Sequence, residues 1–176
     1  MADAEKIILT DDHDVPAPFV GVYAYWMDTR GIAWAPSMSN FRLDELESLI
    51  LPWSIIVDVE PNAGDFLYTF WSSQWTTLTG VEMTLKMVSD LPDAYMREGY
   101  IKDYLKVHKL KKPLLCNSPV TTKIGSEVTF QSIHLPLTDD EINVTHIYSA
   151  INYELISAAH YEYLGTKPGL HIISKS

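Results

Sequence analysis

The chain has 176 residues, of which 47% are hydrophobic, and 23 acidic against 13 basic residues give a net charge of -10. This length and composition indicate one domain with a substantial core. The negative charge repels phosphate backbones and anionic lipids, so we expect no nucleic acid and no membrane as partner. One cysteine excludes an internal disulfide. Together with an acidic start that lacks the layout of a signal peptide, it predicts a cytoplasmic protein.

Residues 1–17 are predicted to be a flexible N-terminal arm, and residues 18–50 to form N-terminal helices. Pro16 and Pro18 suit a helix start. The apolar stripe of the first helix is also a candidate dimer surface. A second short helix should end before Pro52. The apolar positions are Phe19, Val22, Tyr23 and Trp26 in the first helix, and Leu43, Leu46 and Ile50 in the second.

Residues 51–70 predict an antiparallel hairpin, because large apolar residues recur at every second position of each strand. Large residues also occur on the opposite face, so we expect both faces to be partly covered. Pro61 to Gly64 supplies the residue types of a turn. The alternating positions are Trp53, Ile55, Val57 and Val59 on the first strand, and Phe66, Tyr68 and Phe70 on the second.

Two helices are predicted after the hairpin. Ser72 or Ser73 begins a short one that carries Trp75 and Leu78 and ends at Gly80. A longer one begins within residues 89–92, capped by Ser89 or Asp90, and ends before Pro113. Its predicted inner face consists of Tyr100, Tyr104 and Val107.

Three further strands are predicted at residues 114–122, 128–137 and 144–153, with turns at 123–126 and 138–143. Pro119 marks an edge strand or a bulge. The order of elements predicts an α+β domain with an antiparallel sheet and helices on one side of it. Residues 154–176 are a C-terminal tail in which a short helix is possible.

Two stretches resemble signatures of a bacterial PAS-like domain family. Residues 51–70, LPWSIIVDVEPNAGDFLYTF, resemble the pattern LLP…LLDVEP…FRYRLVG, and residues 133–140, IHLPLTDD, resemble LLLPLSDDG. The resemblance implies a PAS-like domain over 18–153 with its core at 51–153. The expected fold is a five-stranded antiparallel sheet with crossover helices on one face and an N-terminal helical extension.

Four positions depart from the pattern of that family. Ser72, Leu85 and Glu141 stand where glycine is usual, and His134 stands where an apolar residue is expected. The first two departures predict local differences in the backbone. His134 brings a titratable group beside the core or a pocket.

The resemblance implies a pocket between the sheet and the crossover helices, which in PAS-like proteins holds a small ligand or nothing. It does not name the ligand or a cofactor. The candidate lining residues are Trp53, Tyr68, Phe70, Trp75, Tyr104, Phe130, His134 and Tyr148.

No known catalytic or metal motif is present, so we predict no catalytic residues and no metal site. Cys116 is expected to be a buried structural thiol. His108 occupies the helix from which haem-binding PAS sensors offer a ligand, but its lysine neighbours favour a solvated imidazole. His134 and His146 could pair across strands, yet no third metal ligand is visible. The acidic residues 139–141 are expected to form a solvated turn.

These patterns predict a small-molecule sensing or regulatory module that acts through a separate signalling protein, as a homodimer and without catalysis. In this hypothesis the ligand shifts the packing of the N-terminal helix or the sheet surface. One alternative is a ligand-free dimerisation or docking module with the same fold. Another is a small α+β isomerase or dehydratase in which His134 or His146 works with Asp58.

Overall fold

The computed structural model describes residues 5–10, 15–59, 64–121 and 127–155. Residues 61–63 of the predicted turn at 61–64, the predicted turn at 123–126 and the tail beyond residue 155 lie outside these ranges. No helix of the described ranges is long and apolar enough to cross a bilayer. The helices are α1 (Ala17–Arg30), α2 (Ser73–Thr79) and α3 (Ala94–Leu110), and the strands are β1 (Glu5–Ile8), β2 (Ser54–Val59), β3 (Phe66–Trp71), β4 (Leu114–Thr121), β5 (Glu127–Leu137) and β6 (His146–Ile151).

The strands form one antiparallel sheet in the order β1-β4-β5-β6-β2-β3. The predicted α+β class is confirmed, and two strands, helices and three strands follow one another as expected for a PAS-like domain. The expected number of five strands is wrong, because β1 adds a sixth beside β4. The prediction of a flexible arm is therefore wrong for Glu5–Ile8. The four residues of β1 do not alternate between polar and apolar side chains, so the sequence does not predict this strand.

Helices cover both faces of the sheet, so the expectation that they lie on one side holds only for the crossover helices. α2 and α3 pack on one face, here called the α3 face, and α1 packs on the other, the α1 face. The α3 face buries Ile55, Val57, Tyr68, Trp71, Trp75, Tyr100, Tyr104, Val107, Ile147 and Ile151. The α1 face buries Phe19, Val22, Tyr23, Trp26, Phe41, Ile56, Ile133, Leu135 and Tyr148.

The apolar stripe of α1 is therefore not a dimer surface. All four of its residues are buried against the sheet. The Trp26 indole N–H donates to the carbonyl of Pro136, 2.8 Å away, and fixes the helix to β5. Any dimer of this protein must use another surface.

Two predicted helix boundaries are wrong. Residues 43–50 do not form one helix, since two 3₁₀ turns, Leu43–Glu45 and Leu51–Trp53, stand there, and the second contains Pro52. Helix α3 begins after Pro92 and not before it. Asp93 is its cap, accepting from the Met96 amide at 2.8 Å. Proline is tolerated in the first turn of a helix, so Pro52 can lie within the second 3₁₀ turn. Proline also disfavours a helical backbone at the residue before it, so α3 begins only after Pro92.

A β-bulge in β3 changes which side chains share a face. Ile56 pairs with Phe70 and Val57 with Tyr68, so Thr69 is an extra residue on β3. Tyr68 consequently lies on the α3 face and Phe70 on the α1 face. The expectation that alternate residues of this strand share one face is wrong for Phe70.

Two of the positions at which the PAS-like pattern has glycine keep a left-handed backbone. Leu85 has φ 61° and Glu141 has φ 60°. Both side chains point to solvent, and Leu85 is 74% exposed. Leu85 thus keeps the backbone conformation that suits glycine, and the prediction of a local backbone difference at this position is wrong. Ser72, at φ -73°, needs no glycine and precedes α2 as its cap residue.

We predict that Leu85→Gly raises the free energy of unfolding by up to about 1 kcal/mol, because glycine adopts a positive φ without the strain of a side chain. Little packing is lost at so exposed a position. Urea unfolding measures the change. The matched control is Gly80→Ala, at φ 76°, where an added methyl group meets open space and the strained backbone alone should cost about 1 kcal/mol. Equal effects of the two substitutions would contradict the prediction.

Candidate functional site

The structure brings six of the eight predicted pocket residues to the α3 face. Tyr68, Trp75 and Tyr104 are fully buried there, and Trp53 and Phe130 pack against them. His134 meets the ring of Tyr104 edge-on, with 5.4 Å between centroids. The other two, Phe70 and Tyr148, lie on the α1 face and cannot line the same site.

Three tyrosine hydroxyls of the α3 face are buried without a hydrogen-bond partner among the described residues. They belong to Tyr68 on β3 and to Tyr100 and Tyr104 on α3, and the Trp71 indole N–H shares this condition. The rings of Tyr100 and Tyr104 stack with centroids 5.6 Å apart, and Tyr68 meets Trp71 at 4.9 Å. A group of polar atoms therefore lies unpaired inside an aromatic cluster.

All three phenols stay protonated at neutral pH. Burial raises the pKa of Tyr68 and Tyr100 well above the usual value, and the nearby Tyr104 adds to both shifts. Burial also raises the pKa of Tyr104, opposed by the hydroxyl of Ser149, whose own hydrogen bond is with His134. Ring contacts through Trp71 and Trp75 connect Tyr68 to Tyr100 and Tyr104, and each of the three phenols can donate a hydrogen bond.

His134 is the centre of a polar network on β5. Its Nδ1 lies 2.7 Å from the Ser149 hydroxyl on β6, and its Nε2 lies 3.1 Å from the Ser132 hydroxyl. The same Nε2 is 3.9 Å from a carboxylate oxygen of Asp103 on α3. Asp103 is itself paired with the ammonium of Lys6 on β1.

The ionisation of this network follows from its burial. Burial lowers the pKa of His134 to about 4, and Lys6 lowers it further while Asp103 opposes the shift. The imidazole is thus neutral at pH 7. Burial likewise raises the pKa of the Cys116 thiol on β4 far above its usual range, with the Asp103 charge adding to the shift. The expectation that Cys116 is buried is confirmed, and as a protonated thiol it is a poor nucleophile.

The remaining candidate residues lie apart from this network. His146 faces the α1 side, where its Nε2 is 3.2 Å from Asp58 and its Nδ1 3.6 Å from Asp139. Since His134 faces α3, the suggested pairs of His134 with His146 and with Asp58 are wrong, whereas the suggested pair of His146 with Asp58 is present. His108, near the end of α3, has a buried Nδ1 without a partner among the described residues.

The acidic turn at 139–141 is exposed as expected. The Asp140 carboxylate accepts the backbone N–H groups of Ile142 and Asn143, at 2.9 and 2.6 Å. These bonds hold the pKa of Asp140 well below its usual value. The carboxylate shapes the turn, which is a structural role.

Sequence reasoning missed five polar participants: Lys6, Tyr100 as a site residue, Asp103, Ser132 and Ser149. A signal existed for Asp103, because it lies three residues after Tyr100 and four before Val107, on the inner face of α3. Ser132 and Ser149 alternate with apolar residues of buried strands. No sequence pattern indicated that Lys6 belongs to the site, since its partner Asp103 is 97 residues away.

No family model and no curated protein matches this chain. Among solved structures, one of an RNA-binding Light-Oxygen-Voltage receptor matches with a TM-score of 0.44 and 11% sequence identity. The match covers 93% of this chain and 45% of that one, so this chain spans less than half of its length.

We predict that Tyr100→Phe leaves the free energy of unfolding unchanged or raises it by up to about 1 kcal/mol, because it removes a buried hydroxyl that gains no bond. Tyr148→Phe is the matched control. Its hydroxyl lies 2.6 Å from that of Ser54, so the loss should cost about 1 kcal/mol. Urea unfolding of both variants gives the answer, and equal losses would show that the Tyr100 hydroxyl is bonded.

We predict that stability falls as the pH drops from about 6.5 to about 4. The unfolded chain binds a proton at His134 near pH 6.5, whereas the folded protein does so only near its pKa of about 4. This contribution to the free energy of unfolding is fully present above pH 6.5, the pKa of His134 in the unfolded chain. It decreases as the pH falls and stops changing below about pH 4, the pKa of His134 in the folded protein. The shift corresponds to about 3 kcal/mol. Denaturant unfolding over this range should show a shallower decline in His134→Gln than in the wild type. Parallel declines would contradict the assignment.

Proposed function

We propose that this protein is a sensory module of PAS-like fold that binds a small organic molecule between the sheet and α3. The buried donors of Tyr68, Trp71, Tyr100 and Tyr104 carry the proposal, and of these the Tyr104 hydroxyl interacts with that of Ser149. A buried polar group without a partner costs about 1–3 kcal/mol, so the three donors of Tyr68, Trp71 and Tyr100 are a large cost for one small domain. A bound molecule that accepts their hydrogen bonds would remove this cost.

The donors indicate the chemistry of the ligand. An indole N–H can only donate, and the three phenols are protonated at neutral pH, so the ligand should carry several acceptor oxygens or nitrogens. The surrounding rings of Trp75 and Phe130 favour a flat, largely apolar body. The buried Asp103 charge disfavours a free carboxylate next to α3.

Access to these donors requires a movement of the protein, because none of the four atoms is exposed to solvent. A ligand would therefore select a conformation in which α3 or α2 is displaced from the sheet. From the sequence, the N-terminal helix or the sheet surface is the expected element that changes its packing when the ligand binds. The polar atoms favour α3, whose outer face exposes Lys102, Leu105 and Lys109 to a partner. This coupling of binding to displacement is what a sensor needs.

The proposal keeps three expectations from the sequence. The output passes to a separate signalling protein, the module acts as a homodimer, and it has no catalytic activity. The neutral His134 and the protonated Cys116 thiol, both buried, support a binding role over an acid-base or nucleophilic one.

The ligand is sought by native mass spectrometry and ultraviolet-visible absorption of the purified protein, and by thermal shift against a library of aromatic metabolites. We expect a bound mass, or a compound that raises the melting temperature. In Tyr68→Phe and Tyr104→Phe this rise should shrink, because each hydroxyl contributes one hydrogen bond to the ligand. Tyr148→Phe, on the α1 face, should keep the full rise. An apo mass and no shift with any compound would favour the ligand-free docking module instead.

A further inference from the structure

We propose that Asp103, Cys116 and His134 form a binding site for a thiophilic divalent cation such as Zn²⁺, and that Lys6 competes with the cation for this site. One ligand atom from each of the three residues lies within 4.8 Å of the others. The residues come from α3, β4 and β5, and are 7%, 1% and 0% exposed. The proposal goes beyond the sensory function and uses none of the unpartnered tyrosines.

The spacing of the three ligand atoms is close to that of a metal site. Zinc bonds of about 2.0 Å to nitrogen or oxygen and about 2.3 Å to sulfur place tetrahedral ligand atoms roughly 3.3–3.8 Å apart. The Nε2 of His134 is 3.9 Å from the Asp103 carboxylate. A contraction of about 1 Å at most would bring the set around one ion.

The surroundings of His134 resemble the support that metal-binding imidazoles receive. Its Nδ1 lies 2.7 Å from the Ser149 hydroxyl. In the tautomer that donates from Nδ1 to Ser149, the Nε2 lone pair lies near Asp103 and accepts from the Ser132 hydroxyl. Such a bond from the second ring nitrogen is the usual way to orient a ligating histidine. The Ser132 hydroxyl, now 3.1 Å from Nε2, would have to rotate away.

The donor set selects the class of cation. A thiolate, an imidazole and a carboxylate together suit Zn²⁺ or Co²⁺, and do not suit Mg²⁺ or Ca²⁺, which prefer oxygen ligands. Three protein ligands leave a fourth position for water. On binding, Cys116 gives its proton to solvent, so one proton is released for each ion bound.

Lys6 already supplies a positive charge to this carboxylate. Its ammonium pairs with Asp103, and β1 holds it next to Cys116 through the pairing of residues 6 and 116. A divalent cation on Asp103 would displace the ammonium, which can reach solvent because its side chain is 23% exposed. Removal of Lys6 should therefore strengthen cation binding.

The test is an anaerobic optical titration of the full chain with Co²⁺, followed by competition with Zn²⁺. We expect a thiolate-to-cobalt charge-transfer band in the near ultraviolet that Zn²⁺ abolishes, and no band in Cys116→Ala. Lys6→Ala should bind Co²⁺ at least about tenfold more tightly, which corresponds to about 1.4 kcal/mol. The control Lys102→Ala removes the same charge from an exposed position of α3 and should leave the affinity unchanged.

Circular dichroism establishes whether Cys116→Ala and Lys6→Ala fold, and the charge-transfer band of the wild type, whose only thiol is Cys116, decides the question if they do not. Cobalt binding without the charge-transfer band, no binding at all, or equal affinities of Lys6→Ala and Lys102→Ala would overturn the proposal. None of these results bears on the tyrosine hydroxyls, so the proposed sensory function is tested separately.

Discussion

The buried carboxylate of Asp103 is the constraint on which the α3 face depends. It lies on the inner face of α3 between Tyr100 and Tyr104, and the residue is only 7% exposed. A charge at such a place costs several kcal/mol unless a partner of opposite sign and good geometry compensates it. Lys6 is that partner, so the ion pair links strand β1 to helix α3. The packing of α3 on the sheet and the pairing of β1 with the sheet therefore depend on each other.

Most of the regular structure could be predicted, because local patterns determine it. The inner face of α3 follows from the helical spacing of Tyr100, Tyr104 and Val107, and α2 from its Ser72 and Gly80 boundaries. The wrong predictions concern elements whose conformation is determined by tertiary contacts. Strand β1 has no pattern of its own and exists through its pairing with β4. The bulge at Thr69 depends on the register between two strands, which alternation alone does not reveal.

The site was predictable in its aromatic part and not in its polar part. Large rings on alternating positions of buried strands indicate a core-facing cluster, and six of the eight candidates lie in it. The polar network depends on contacts between β1, α3, β5 and β6, with Lys6 and Asp103 far apart in the sequence. Asp103 could have been inferred from its place among the tyrosines of α3, and Ser132 and Ser149 from their alternation with apolar residues, whereas nothing in the sequence indicated Lys6.

The two faces of the sheet differ in whether their buried polar atoms are paired. On the α1 face the hydroxyl of Tyr148 pairs with Ser54, and the indole of Trp26 with Pro136. The five buried side-chain atoms without a partner among the described residues all belong to β3 or α3. A protein stabilises a purely structural core by pairing its polar atoms, as the α1 face does. The α3 face keeps donors that the described residues leave unpaired, and the proposed ligand rests on this difference between the two faces.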